Sequence, residues 1–384
     1  MQTVIGRPLS DEFGPFDGRV WLNCAHQGPL PRPARAEAEA AIAAKVNPST
    51  LDDGSFFAVP ERLRGLAARL IHASPDDVLL ANSTTYTLNL VAQGLTWQDG
   101  DEVICVEGDF PATVLPWVAL EDRGVRITLL RAPDARVDAE RLTEAIGPRT
   151  RVVCLSWVFS FFGNAVDLES LGAVCRERGV RFVVNASQAV GVRALDVRAT
   201  QADAIACCGW KWLCGPYATG FGWLSEALRA ELHNPQPHWI RQKEASRADP
   251  VINYALAEDS AARQLDVFAN ANFFNFRPLA ASLDHLLTVG PERIERHDQA
   301  LVARLLDYLE VTDYEVLSPR KEPERSTLVF LSHRDSGRNA EIHGALCEAG
   351  IEIALREGRL RVSPHLHNSS ADIDRLTEEL ARLG

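Results

Sequence analysis

"ACCGWKWLCGPYATGFGWL", residues 206–224, carries one formal charge, at Lys211, held between Trp210 and Trp212 in a run of small and apolar residues. A lysine whose task is solvation sits on a polar face, so this one is placed to lose water. Burial disfavours the ammonium form, and the neutral amine it leaves is a nucleophile and a base. The segment begins as "DAIACCGW", a short apolar run bounded by turn residues, which reads as a buried strand. Similar runs precede it in "DEVICVEG", "VRITLLRA", "RVVCLSWV" and "VRFVVN". Between them lie stretches with apolar residues at three-to-four spacing, such as "PERLRGLAARLIHA", "TYTLNLVAQGL" and "LESLGAVCRERG". Strands alternating with helices require crossover units. The expected fold is therefore α/β, with a mostly parallel central sheet covered by helices on both faces.

The texture changes beyond about residue 245. "DPVINYALAEDSAARQLDVFANANFFNFRPL" has little clean periodicity. A long helical pattern follows, then the strand-like "STLVFLSHR", the helix "NAEIHGALCEAG", short strands in "IEIALREGRLRVSPH" and a final helix "ADIDRLTEELARL". This reads as a smaller α+β domain. The expected division is an N-terminal segment over 1–30, a large domain over 31–285 and a small C-terminal domain over 286–384.

The 384 residues, 46% hydrophobic and 24% charged, have the composition of an ordinary globular chain with room for two lobes. A net charge of −12 argues against nucleic-acid and anionic-membrane partners. The opening "MQTVIGRPLSDEFGPF" has no basic start followed by an apolar run, and the most apolar segment is interrupted by glycines, Pro216 and Lys211. The eight cysteines lack the paired spacing of a zinc site. A cytoplasmic protein with reduced thiols and no metal is expected.

In parallel α/β sheets, ligands bind beyond the carboxyl ends of the strands. "DEVICVEGDF" ends at Asp109-Phe110, "RVVCLSWVFS" at Trp157 and Ser160, "RFVVNASQ" at Asn185 and Gln188, and "AIACCGWK" at Lys211. "LLANSTTYTLNL" is a strand end running into a helix start. There Ser83, Thr84 and Thr85 are placed to cap the helix and hold an anion on its first N–H groups. A desolvated lysine, an anion cradle, an aromatic face and polar strand ends together suggest pyridoxal phosphate.

On these residues the chain resembles the class-V aminotransferase family of fold-type I pyridoxal-phosphate enzymes. That group includes cysteine desulfurases, isopenicillin N epimerase-like proteins, kynureninase and carbon–sulfur lyases. The resemblance runs from "WLNCAHQGPLP" near residue 21 to "LRVSPHLHN" near residue 368, and "KWLCGPYATGFGWL" and "ASQAVG" carry it most specifically. It implies that Lys211 forms the Schiff base with the cofactor and that Thr84 and Thr85, beside Ser83, bind its phosphate. Gln188 would reach the phenolic oxygen, Phe110 would cover the ring and Asn185 would face the ring nitrogen. Cys208, Trp210 and Ser160 line the cofactor site, the Trp210 indole within reach of the phosphate. Arg361, in "RLRVSPH", would grip the substrate carboxylate through two hydrogen bonds. His26 falls at the edge of the site, or is a hydrogen-bonded structural histidine. Asn270 falls where relatives offer a threonine to the phosphate of a neighbouring subunit, which implies a homodimer with shared sites.

The chain also departs from that family. Relatives place an aspartate at the position of Asn185, and its charge keeps the ring nitrogen protonated. A neutral amide cannot do this. β-Elimination leans less on the ring than transamination does, so the lead reading is a carbon–sulfur lyase acting on an S-substituted cysteine, in specialised metabolism. Decarboxylation coupled to oxidative deamination with dioxygen, aminotransfer and epimerisation stay open. The persulfide cysteine of the desulfurases has no counterpart in "IEIALREGRLRVSPH", which argues against desulfurase chemistry. Relatives carry an asparagine at the position of Ser160, and "SWVFSFF" makes that wall aromatic.

Overall fold

Runs rich in valine, isoleucine and small residues become central strands because both faces have something to pack against. In the computed structural model, which describes residues 3–4, 7–132, 136–233, 236–237, 239–241, 255–257 and 260–384, seven such runs form one sheet. Its strand order is Val78–Ala81, Gly220–Leu224, Ala204–Cys208, Arg181–Asn185, Thr150–Ser156, Glu102–Val106 and Arg126–Leu130. All run in one direction except Gly220–Leu224, which is antiparallel to both neighbours. The expected α/β sheet is present. The antiparallel strand, hidden in the tail of the opening segment, is the addition.

Alternate residues of each strand feed two different cores, as the period of two requires. Leu80, Ile104, Val153, Leu155, Phe182, Val184, Ile205 and Phe221 join one apolar cluster. Leu79, Val103, Val152, Cys154, Val183, Ala204 and Ala206 join the other. Every cysteine is a free thiol, and all but Cys347 are buried. A third cluster gathers Val20 and Leu22 with residues from Leu301 to Leu380, around an antiparallel four-stranded sheet ordered Tyr314–Val316, Val329–His333, Arg359–Val362 and Ala354–Arg356.

The long helical pattern divides into Phe273–Val289 and Pro291–Leu309, because Gly290 takes a φ of 95° and Pro291 starts the next helix. Of the unpatterned stretch over 249–279, residues 249–254, 258 and 259 lie outside the described residues, and the rest includes the short helix Ala262–Leu265 and the start of helix Phe273–Val289. No helix among the described residues is long and apolar enough to cross a membrane.

Register sets what meets at the sheet's carboxyl edge. Ser156 pairs with Asn185, and Asn185 with Ala206, so the chain leaves these strands at one level. The N-terminal segment closes over that edge. Val20–Trp21 runs parallel to Ile351–Glu352, and the Cys24 N–H donates to the Ser363 carbonyl.

Candidate active site

Lys211 lies in the turn that follows strand Ala204–Cys208. The turn is closed by hydrogen bonds from the Gly209 N–H to the Thr219 carbonyl and from the Gly215 N–H to the Gly209 carbonyl. The N-terminal segment presses on it directly. The Gly28 N–H donates to the Trp210 carbonyl, and a Cβ on Gly28 would fall 1.9 Å from the Lys211 carbonyl oxygen, so a larger residue would displace the turn.

Beneath the turn sits a buried polar cluster that sequence spacing did not reveal. The ligand-type atoms of Cys24, Cys214 and His365 lie within 4.8 Å of one another. His365 Nδ1 is 2.8 Å from Asp298 Oδ2, and its Nε2 is 3.0 Å from the Trp212 carbonyl oxygen. Burial works against the His365 imidazolium, but Asp298 outweighs it and the group is pushed up to about 10. Cys214 is drawn down to about 6 by a hydrogen bond with Cys24, against burial, with His365 helping. Through Cys24 Sγ and His365 Nε2 the cluster holds the Lys211 and Trp212 carbonyls.

The Lys211 ammonium is disfavoured mainly by burial. Cys208 opposes this, while Arg361 and Arg356 add repulsion. Among the described residues no carboxylate pairs with Lys211. Its Nζ lies 5.5 Å from the centre of the Phe110 ring, which stacks in turn on Phe161. The apolar setting read from the sequence is what the fold provides.

A hydrogen-bonded path links Lys211's surroundings to the first strand end. Thr84 and Ser187 share a hydrogen bond between hydroxyls, and the Ser187 N–H donates to Asn185 Oδ1 at 3.0 Å. Asn185 Nδ2 donates to Thr113 Oγ1 at 2.8 Å. Thr113 lies one turn after Phe110, whose carbonyl accepts its N–H. Ser83 is the N-cap of helix Thr84–Gly94 and accepts the Tyr86 N–H, Thr84 is buried and Thr85 is exposed. The N–H groups of the first helical turn therefore face outward from the sheet edge, where the helix dipole favours an anion.

A second path runs along the opposite wall. Gln188 Nε2 donates to the Ala25 carbonyl and to Ser160 Oγ, and its Oε1 accepts the Trp212 indole N–H at 2.8 Å. The Ser160 carbonyl accepts Arg361 Nη1 at 3.5 Å, and Asn23 Oδ1 accepts Nη2 at 3.4 Å. Both bonds are long, and among the described residues Arg361 Nε has no partner although the side chain is buried. Burial, then repulsion from Arg356, pushes the Arg361 guanidinium down to about 9. His26 faces the same positive charges. Burial first, then Arg356, Arg361 and Lys211, all disfavour its protonated form.

Of the other candidates, Cys208 is buried at the strand end, and Trp210 packs on Tyr217 with ring centres 4.6 Å apart. Asn270 stands apart. Its Nδ2 donates to Asp266 Oδ2 beside the buried Arg64–Asp266 ion pair, its Oδ1 has no partner among the described residues, and no hydrogen bond joins it to the other candidates. Arg356, Thr113 and Ser187 escaped the sequence reading. Arg356 left one signal: it and Arg361 sit on adjacent strands of one hairpin.

The residues fit a group bearing an anion, an aldehyde-type carbon and a flat ring with a polar nitrogen. The fit rests on Arg361 with its open Nε, on Lys211 with no carboxylate partner among the described residues, on the Phe110 face and on the capped helix start. Comparison with known proteins agrees. The family model described as aminotransferase class-V matches residues 45–376. A probable cysteine desulfurase of Methanothermobacter thermautotrophicus is 27% identical over 95% of this chain and 94% of its own. Isopenicillin N epimerase of Streptomyces clavuligerus is 27% identical over the same shares. The solved structure of the cystine C–S lyase C-DES with its product cysteine persulfide covers 95% of this chain and 97% of its own, with a TM-score of 0.84 at 22% identity, which speaks to the fold.

Proposed function

Because the chain belongs to the class-V aminotransferase family, whose cofactor is pyridoxal 5′-phosphate, we propose that it cleaves the Cβ–S bond of an S-substituted cysteine. The products would be a thiol and, after addition of water, pyruvate and ammonia. When bound, the cofactor supplies an aldehyde that captures the substrate amine and a ring that draws electrons from Cα. Lys211 would anchor it covalently through Nζ. The helix start at Ser83, Thr84 and Thr85 would hold its phosphate, with Trp210 beside it. Phe110 would cover the ring, Asn185 would face its nitrogen, and Gln188 and Ser160 would hold the phenolic side. Lys211 Nζ, whose ammonium form is disfavoured first by desolvation and then by Arg361 and Arg356, would take the Cα proton. Arg361 would accept the substrate carboxylate as its missing partner, with His26 at the edge of the same pocket.

The observation that carries the reaction type is the Asn185 amide. Its oxygen is held by the Ser187 N–H, so it turns its nitrogen towards Thr113 and, among the described residues, keeps one N–H without a protein acceptor. A donor at that place suits an unprotonated ring nitrogen, which favours elimination over aminotransfer. Two relatives support cysteine-type substrates: one is described as a probable cysteine desulfurase, and C-DES is a cystine C–S lyase. The test is incubation of the purified, cofactor-loaded protein with cystine and S-alkylcysteines, with and without oxygen. With and without oxygen, pyruvate and ammonia are expected, together with a free thiol from the S-alkylcysteines and cysteine persulfide from cystine. Oxygen consumption with aldehyde and carbon dioxide release, or rapid amino transfer to a 2-oxo acid, overturns the lyase reading. An Asn185→Asp variant should raise the proton affinity of the ring nitrogen by about 1–3 pKa units and gain aminotransfer at the expense of elimination. Absorbance titration and half-reaction rates check both.

Arg356 extends the substrate reading. It faces Lys211, His26 and Arg361, and among the described residues no carboxylate pairs with it. A second positive group beyond the carboxylate site favours an S-substituent that is itself anionic. Arg356→Ala should raise KM for cystine roughly 10-fold and leave S-ethylcysteine nearly unchanged, as expected for one charge-assisted contact. A homodimer is part of the same proposal. Leu115, Tyr217, Phe268 and Phe274 are exposed on elements beside the site, an apolar surface that a second copy would cover. Sedimentation at the mass of one chain overturns that part.

A further inference from the structure

Asn185 does not stand alone. Its Nδ2 donates to Thr113 Oγ1 at 2.8 Å, and that hydroxyl lies 3.3 Å from Ser156 Oγ. Ser156 Oγ donates to Asp109 Oδ1 at 2.6 Å. Because Thr113 Oγ1 receives a proton from the amide, its own proton is free to go to Ser156. Because Ser156 gives its proton to Asp109, it is free to accept one. Every donor in the chain therefore points the same way, from Asn185 to the Asp109 carboxylate, and such aligned bonds strengthen one another.

The far end of this chain is unusual. Asp109 is buried, and among the described residues no cation pairs with it. Burial pushes it up to about 6, against hydrogen bonds from the Ser156 hydroxyl and from the Phe110 and Ser156 N–H groups, and with these three donors on its two oxygens the carboxyl serves as an acceptor. The titratable groups facing it are the Cys105 thiol on strand Glu102–Val106 and the Cys154 thiol on strand Thr150–Ser156, both raised by burial and neutral. A carboxylate buried without a counter-charge is costly. Here its two oxygens are both used: Oδ1 accepts the Phe110 N–H and the Ser156 hydroxyl, and Oδ2 accepts the Ser156 N–H, whereas an amide has one acceptor oxygen and would set its NH2 against one of these donors. Nor would an amide fix the direction of the chain. An amide can donate as well as accept, whereas an ionised carboxylate only accepts.

We propose that Asp109 is a positioning residue: through Ser156 and Thr113 it locks the Asn185 amide with its nitrogen towards the cofactor ring, so that the site holds the ring nitrogen as a hydrogen-bond acceptor. The charge that could stand directly at Asn185 is set back by two hydroxyls, where it orients a donor and protonates nothing. The inference rests on the cofactor reading given above.

The test loads the full-length protein with ¹⁵N-labelled pyridoxal phosphate and reads the ring-nitrogen resonance and the retention of cofactor on dialysis. In the wild type the resonance should be that of an unprotonated nitrogen accepting a hydrogen bond. Thr113→Val and Ser156→Ala cut the chain on either side of its middle link. Both should move the resonance away from the hydrogen-bonded position and weaken retention about 10-fold, the loss of one oriented polar contact. Thr113→Ser keeps the hydroxyl and should restore both readings, which a purely structural role for the threonine methyl would not allow. Asp109→Asn should act like the two cuts; if it does not fold, the cuts decide. A wild-type resonance unmoved in both cut variants, or a protonated nitrogen in the wild type, overturns the inference while the cofactor reading stands. A wild-type protein that takes up no labelled cofactor overturns the cofactor reading itself.

Discussion

Replacement of Lys211 by alanine is expected to lower turnover by at least about 10⁴-fold, the upper range for removal of a general acid–base group, with the covalent anchor lost as well. The physical reason is the setting of the amine. Burial and the positive charges of Arg361 and Arg356 favour its neutral form. No neighbouring side chain offers the same combination. The protonated form of His26 is also disfavoured, by partial burial and then by Arg356, Arg361 and Lys211, but its side chain is exposed at the edge of the pocket. The measurement is turnover of cystine together with borohydride trapping. The wild type should gain the mass of reduced cofactor on the peptide containing Lys211, and Lys211→Ala should gain none. Its fold should survive, because the turn is held by backbone bonds at Gly209, Gly215 and Gly28 and by the cluster of Cys24, Cys214, His365 and Asp298 beneath it. Trapping on a different lysine in the wild type would remove Lys211 from its role.

Arg361→Ala should lower kcat/KM by about 10²–10³-fold, equivalent to roughly 3–4 kcal/mol, the range for breaking a buried ion pair from one side. The side chain is buried, and among the described residues it makes only two long hydrogen bonds and leaves Nε without a partner. A guanidinium in that state is stabilised by any carboxylate that reaches it in two-pronged fashion. Arg361→Lys should recover only part of the loss, since a point charge cannot repeat the fork. Amines lacking the carboxylate should react equally slowly with wild type and Arg361→Ala. If they instead favour the wild type as strongly as the amino acids do, Arg361 does not read the carboxylate.

The lysine segment was legible because its oddity was chemical: one charge among apolar residues has few structural explanations. The sheet was legible because strands buried on both faces read as unbroken apolar runs, and "DEVICVEG", "RVVCLSWV", "VRFVVN" and "DAIACCGW" became neighbouring strands. Strand Gly220–Leu224 gave a weaker signal, since glycines at 220 and 222 dilute its pattern. The strand ends named from the sequence arrive at one level, and Asn185, Phe110, Gln188, Ser160 and Arg361 are linked to one another or to Lys211 by hydrogen bonds or ring contacts through at most a few residues. Asn270 is not, because its side chain is committed to Asp266 inside its own chain.

What the sequence by itself determined was the α/β class and the family, and it singled out Lys211 and Asn185 as residues out of keeping with their surroundings or with that family. These are properties of residue type and local pattern, which period and composition carry. The tertiary structure alone decided which way the Asn185 amide faces, that Asp109 stands at the end of its hydrogen-bond chain, that Arg356 joins Arg361 in one positive pocket, and that Cys24, Cys214, His365 and Asp298 meet under the lysine turn. Each depends on contacts between residues tens to hundreds of positions apart, and on the direction of a donor or a charge in space. No local spacing encodes either one.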